Sequence, residues 1–245
     1  ILDYGAIADG VTNNAAAIQQ AIDEASAEGG RVVIPQGKYL SGTLVLKSNI
    51  DFHLEKGAVL ISSLNQEDIM DFAKLFEDDN ACTGWDGGCF LFACHEENIT
   101  ISGEGVIYGQ GDKVFIDDDV DGGAHECPLS VAAFRPRTTF LEDVTNLTVQ
   151  DITIQDAAFW TLHMAGCHHV RVQDIKILND VRGANNDGID PDCCKDVLIT
   201  GCLVKTGDDA IVIKTTKPMT QRYGASENIV ISNCILYSHD SALKI

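Results

Sequence analysis

Four stretches of the chain alternate apolar and polar residues in one shared shape: NLTVQDITI (146–154), HVRVQDIKI (169–177), DVLITGCLV (196–204) and NIVISNCIL (228–236). Alternation with period two is the pattern of a strand with one buried face. The leading apolar residues Leu147, Val170, Val197 and Ile229 are 23, 27 and 32 residues apart. Repeats in this range predict a solenoid whose coils differ in loop length. A fainter copy, NITISGEGVI, begins at Asn98. Each of the four segments is followed by a second short strand: WTLHM (160–164), GIDPD (188–192), AIVIK (210–214) and ALKI (242–245). Two or three short strands in each coil of ~25 residues, with no helix between them, predict an all-β, single-stranded parallel β-helix and exclude a βαβ array.

The N-terminus follows a different period. In TNNAAAIQQAIDEASAEGG (12–30), Ala17, Ile18, Ala21, Ile22 and Ala25 share one helical face. Thr12 or Asn13 is placed to cap this helix, and Gly29–Gly30 to end it. An amphipathic helix there would cover the open end of the solenoid, with coils starting near residue 31. No Pro/Ser/Gly-rich linker divides residues 1–245, so one β-helix domain is expected. SALKI stops inside a predicted strand, from which further C-terminal coils are expected in a longer protein.

Composition narrows the function. The formal net charge of −20 argues against a nucleic-acid or anionic-membrane partner. No apolar run approaches the ~20 residues of a membrane-crossing helix. Nine cysteines without zinc spacing leave no metal site to predict from them. Cys202 and Cys234 occupy the repeat position that is Ile152 and Ile175 in earlier coils, so they read as small core residues. This mildly favours a reducing compartment, the other option being export with a leader removed. No cofactor is expected, and oligomeric state is not legible.

Against this apolar background two acidic knots stand out, NNDGIDPD (185–192) and GDDAIVIK (207–214). Aligning the second strands on Leu162, Ile189, Ile211 and Leu243 stacks Asp187 on Asp209, with Trp160 before and Ser241 after. Asp208 then falls beside Asn186. Neighbouring rungs are ~4.8 Å apart, so the three carboxylates should meet at one corner. Strict alternation would turn Asp187 into the apolar interior, so a turn near Gly188 and Gly207 is expected to bring the carboxylates to solvent. Mutual repulsion should raise the pKa of at least one, setting an acid beside a base, as glycosidic hydrolysis requires. Calcium ligation and an ordinary acidic turn are the other readings of the spacing.

The motifs Asn185-Asn186-Asp187-Gly188 and Gly207-Asp208-Asp209, in that order, resemble the N-[TN]-D-G and G-D-D motifs of glycoside hydrolase family 28, the polygalacturonase-like right-handed parallel β-helices. AFWTLHMAGCHHV (158–170), GEGVIYGQG (103–111) and the opening DYGAIADGVTNNAAAIQQAI are similar to other family segments, so the likeness covers essentially the whole chain. It implies cleavage of an α-linked galacturonic acid or related bond in a pectin-type polysaccharide or oligosaccharide. Asp208 would be the general acid, and Asp187 and Asp209 would hold and deprotonate the attacking water, with inversion. An inverting pair usually needs ~6.5–9.5 Å between carboxyls, which one rung plus side-chain splay is expected to reach. The family's G-H-G histidine aligns with Ser241, with His239 two residues upstream, and its R-I-K motif would fall beyond Ile245.

Four further residues are candidates for substrate binding: His163, Asn185, Lys214 and His239. Lys214 is expected beside Asp192 of the neighbouring coil, as a substrate-carboxylate contact or a surface ion pair. His163 is expected one coil before Asp190, lining the cleft. Arg135 and Arg137 read as loop braces, and few basic residues are expected near the motifs. DDDVDGG (117–123) partly imitates a calcium loop, but Pro128 stands where its last acidic ligand belongs. NIT and NLT match glycosylation sequons yet coincide with the repeat's turn. Two competing functions on the same scaffold are a calcium-dependent pectate lyase and a non-catalytic carbohydrate-binding β-helix.

Overall fold

The computed structural model describes residues 1–71, 88–118 and 128–245. Asp119, Asp121 and Gly122 of the calcium-like segment lie outside the described residues. Three sheets are each assembled by taking one strand from successive coils, giving a parallel β-helix. In the sheet that carries the acidic motifs, Gly88–Cys94, Arg137–Glu142, Leu162–Ala165, Ile189–Asp192, Ile211–Val212 and Leu243–Lys244 follow one another as parallel neighbours. Among the described residues, antiparallel pairing is confined to Met70–Asp71 against Gly88–Cys94 and Phe115–Ile116 against Ser130–Val131.

Each repeat segment read from the sequence is in fact two strands. Thr145–Gln150 and Thr153–Gln155 are separated by a bend at Asp151, whose φ is 64°. Each of these coils therefore has three strands and needs sharp corners. The same left-handed conformation recurs in register at Asn49, Asn98, Asn146, His169, Asp196 and Asn228. Asn and Asp tolerate positive φ better than other side chains, because a short polar group can bond locally. Here the amides also bond from coil to coil: Asn98 Nδ2 donates to Asn49 Oδ1 and Asn146 Nδ2 to Asn98 Oδ1, both at 2.9 Å. The two sequon-like Asn residues are thus members of a structural ladder.

Inside the coils, apolar columns stack in the predicted register. Ile99, Leu147, Val170 and Val197 are aligned neighbours, as are Ile152, Ile175 and Cys202 one corner later, all of them buried. Burying each such side chain is worth roughly 1.5–3 kcal/mol, so the stacked columns supply the main drive to fold. Cys202 is 1% exposed and Cys234 packs partly buried below it, as expected for core thiols. None of the seven described cysteines is in a disulfide.

The terminal helix, α1, spans Ala15–Glu28 and buries Ile18, Ala21 and Ile22. It packs on the strands Gly30–Ile34, Leu44–Val45 and Ile50–Leu54. Asn14 holds the N-cap position, while Asn13 Oδ1 accepts from the Ala15 N–H at 3.0 Å. Thr12 does not cap the helix, because Asp9 engages its hydroxyl at 2.7 Å. A second helix, α2, Lys217–Tyr223, was not anticipated. It lies in the long connection that makes the last repeat interval 32 residues.

Candidate active site

The two acidic motifs enter the site on consecutive rungs. Ile189 pairs with Leu162 on one side and Ile211 on the other, so Trp160, Asp187, Asp209 and Ser241 form one column, as the alignment predicted. The rungs are locked by backbone hydrogen bonds: the Gly188 N–H donates to the Asp209 carbonyl at 2.9 Å, and the Ala210 N–H to the Ser241 carbonyl at 2.8 Å.

The motif glycines are required by crowding rather than by an unusual φ. A Cβ on Gly188 would collide with the Ala210 carbonyl oxygen and the Val204 side chain. One on Gly207 would lie 2.5 and 2.6 Å from the backbone O and N of Gly183. Each glycine meets fixed backbone, the Ala210 carbonyl or Gly183, so neither clash can be fully relieved by a side-chain rotation.

Asn186 joins the two motifs. It is fully buried, and its Oδ1 accepts from the N–H groups of Gly207 (2.8 Å) and Asp208 (3.2 Å). Its Nδ2 donates to the Asp180 carbonyl at 2.8 Å. Asp208 is fixed further by the Asn185 N–H (3.2 Å) and the Asp209 N–H (2.9 Å), both donating to its carboxylate.

Carboxylate oxygens of Asp187, Asp208 and Asp209 all come within 4.8 Å of one another. Two parts of the expectation change. Asp187 and Asp209 are each 3% exposed, whereas Asp208 is half-buried, so only Asp208 approaches solvent as anticipated. The spacing is also shorter than the ~6.5–9.5 Å usual for an inverting acid–base pair, because adjacent rungs hold the side chains close together.

Buried carboxylates need counter-charges, and the structure provides them. Lys214 Nζ lies 2.8 Å from Asp187 Oδ2, and Lys244 Nζ lies 3.0 Å from Asp209 Oδ2. Lys214 is mostly buried and also lies 4.2 Å from the Trp160 ring centroid. Burial pushes the Asp187 carboxyl up to about 6, with Lys214 opposing and Asp208 adding to the rise. Desolvation therefore outweighs the like-charge repulsion expected from the sequence. Three carboxylates this close are a familiar cation-binding arrangement, but two of them already have an ammonium partner, which disfavours a metal there.

The other candidates adopt more specific positions than the sequence indicated. Lys214 does align beside Asp192, through an isolated bridge. Its ammonium turns inward to Asp187, so it is neither a surface ion pair nor a free contact for substrate. Asn185 lies in the left-handed region with φ 54°, and its Oδ1 accepts from Arg135 Nη2 at 3.0 Å. Arg135 also donates to the Ala184 carbonyl at 2.8 Å, so it braces the NNDG loop.

His163 is paired with Asp190 as predicted, but it is 4% exposed rather than open to a cleft. Its ring packs against Phe140 and Trp160, each 4.9 Å away between centroids, and its Nε2 is 3.5 Å from Asp192 Oδ2. Burial lowers its pKa to about 4, since Asp192 is too distant to compensate fully. Burial alone would raise Asp192, but the bonds from His163 and Thr216 hold its carboxyl below the ordinary value. His239 is exposed, with Nδ1 3.0 Å from the Val181 carbonyl oxygen. Ser241 occupies the rung after Asp209.

Sequence reasoning missed Asp190 and Lys244, and it understated the local positive charge. Arg135, Arg137, Lys214 and Lys244 all converge on the motif rungs. Arg137 lies 4.9 Å from the Trp160 ring centroid. The available signal was the column alignment itself: Arg137 leads the strand that pairs with Leu162–Ala165, and Lys244 follows Leu243, the partner of Ile211.

The family model described as glycosyl hydrolases family 28 matches residues 30–239. A probable polygalacturonase of Vitis vinifera is 29% identical over 225 residues, covering 88% of this chain and 44% of its own length. The plasmin and fibronectin-binding protein A of Streptococcus pneumoniae is 29% identical over 192 residues, covering 73% of this chain and 24% of its own. Among solved structures, the hyperthermoactive exopolygalacturonase of Thermotoga maritima superposes with a TM-score of 0.77 at 26% identity, covering 98% of this chain and 60% of that one. The chain thus spans less than half the length of the grapevine relative.

Proposed function

The chain belongs to glycosyl hydrolases family 28, and from that premise we propose that it hydrolyses an α-linked galacturonic acid or related bond in pectin-type polysaccharide. The observation that carries this reading is the meeting of Asp187, Asp208 and Asp209 on adjacent rungs, with oxygens within 4.8 Å. Asp208, the most exposed of the three, is the general acid that protonates the leaving oxygen. Asp187 and Asp209 flank the attacking water and accept its proton. Carboxylate oxygens within 4.8 Å of one another are close enough for one water to bond two of them at ~2.8 Å each. A shared water is therefore geometrically natural here, and it supports inversion despite the short acid–base distance. Lys214 and Lys244 against the carboxylates favour this chemistry over a calcium-dependent lyase.

The test is incubation with polygalacturonate, with and without chelator, following reducing ends, unsaturated product and the anomer first formed. Hydrolysis predicts reducing ends without UV-absorbing product, insensitive to chelator, with the inverted anomer appearing first. Asp208→Asn should lower the rate by about 10²–10⁴-fold. Chelator-sensitive unsaturated product would establish a lyase, and glycan binding without cleavage in the unmutated protein would establish a binding module.

A further inference from the structure

Asp190, like the hydrogen-bonded Asp192, is a buried carboxyl of this region for which the hydrolysis scheme has no use. It is completely buried, and neither carboxylate oxygen has a hydrogen-bond partner among the described residues. The nearest cation is Lys214, whose Nζ is 3.8 Å from Asp190 Oδ1 but only 2.8 Å from Asp187 Oδ2. One ammonium thus faces two buried carboxyls and makes its hydrogen bond to only one. An ionised carboxylate without a single donor, fully buried on the strand face opposite Ile189 and beside the buried His163, would be left nearly unsolvated. A protonated carboxyl there is neutral and carries much less of that penalty.

From this asymmetry the geometry points to a division of labour: Asp190 stays protonated across neutral pH, and Lys214, held against the Trp160 face, is the dedicated counter-ion that positions Asp187 and keeps it ionised. This deepens the proposed function by assigning the group that makes Asp187 available as a base, and it rests on that reading for its catalytic meaning. Lys214 is a positioning residue, since it acts through Asp187. The arrangement explains why the second motif ends in Lys: the residue that leaves the strand beside Asp192 has the reach to pass Asp190 and end at Asp187.

The charged groups facing Asp187 are Lys214, Asp208, Asp190 and Asp209, with Lys244 pairing the last. Burial raises both Asp190 and Asp187, Asp190 well above its ordinary value, and Lys214 opposes each rise. Losing Lys214 must therefore raise Asp187 further, whereas converting Asp190 to a neutral isostere should change little.

The decisive experiment is a carboxyl-carbon NMR titration of aspartate-labelled protein, which needs no turnover and so stays informative if the assigned reaction is wrong. In the unmutated protein one resonance, absent from Asp190→Asn, should remain in the protonated position at pH 7. Asp190→Asn should leave the Asp187 midpoint within a few tenths of a pH unit, and Lys214→Met should move it upward by about one unit or more. If the protein hydrolyses pectin, the acidic limb of kcat/KM should shift to higher pH in Lys214→Met and stay in place in Asp190→Asn. An Asp190 resonance already ionised at pH 7, or a large Asp187 shift in Asp190→Asn, would overturn the assignment. So would an unmoved Asp187 in Lys214→Met. Should Lys214→Met fail to fold, the Asp190 resonance and the Asp190→Asn titration still decide.

Discussion

The clamp formed by Asn186 is the most economical place to test how the site is held together. Replacing it with Ala removes one amide and leaves two backbone groups without partners, the N–H of Gly207 and the N–H of Asp208, while the Asp180 carbonyl keeps the Gly183 N–H at 3.1 Å. A buried backbone group deprived of its partner costs ~1–3 kcal/mol. The Asp208 bond is long at 3.2 Å, and Gly207 and Asp208 are half-buried, so water can rescue part of the loss. The expected destabilisation of Asn186→Ala is therefore about 1–4 kcal/mol. Urea unfolding followed by tryptophan fluorescence would report it as a lowered midpoint. Hydrolysis should suffer as well, because Asp208 loses the group that fixes its backbone, and a displacement of ~1 Å can cost 10²-fold in rate. A variant that loses under ~1 kcal/mol and turns over substrate normally would show that the two motif loops are held in place by something else.

Two more perturbations follow from the same geometry. Gly188→Ala forces a methyl into the Ala210 carbonyl and Val204, so it should destabilise by about 2 kcal/mol or more and reduce activity through the displaced rung; unchanged thermal unfolding would contradict the close approach. His163 is kept neutral by burial, with a pKa near 4 against the ordinary 6.5. Below pH 6.5 the unfolded chain gains a proton that the folded chain refuses, so stability falls as pH drops toward 4, by roughly 3 kcal/mol from this residue. His163→Gln should flatten that acid-side fall. Asp187 works in the opposite sense: its raised pKa makes its contribution complete below the ordinary 3.8 and lost as pH rises through about 6. The difference in unfolding free energy between wild type and His163→Gln, measured from pH 4 to 8, isolates the histidine term; a pH-independent difference would refute it.

The solenoid, the rung register and the meeting of Asp187 with Asp208 and Asp209 were all legible in the chain. Parallel stacking is a translation by one rung, so aligning Leu162, Ile189 and Ile211 in sequence aligns them in space. Residues that repeat at Ile152, Ile175 and Cys202 likewise had to be interior, because alternation and the demand for apolar burial leave them one face. What surrounds a column, however, depends on chain that crosses it from elsewhere. Lys244 reaches Asp209 from 35 residues away, and Arg135 reaches Asn185 from 50. The tertiary structure alone decided that Asp187 is buried rather than open, that Lys214 turns inward, and that His163 is enclosed between Phe140 and Trp160. Burial and counter-charge are sums over all neighbours within a few ångströms, and a linear pattern records only which residues share a face.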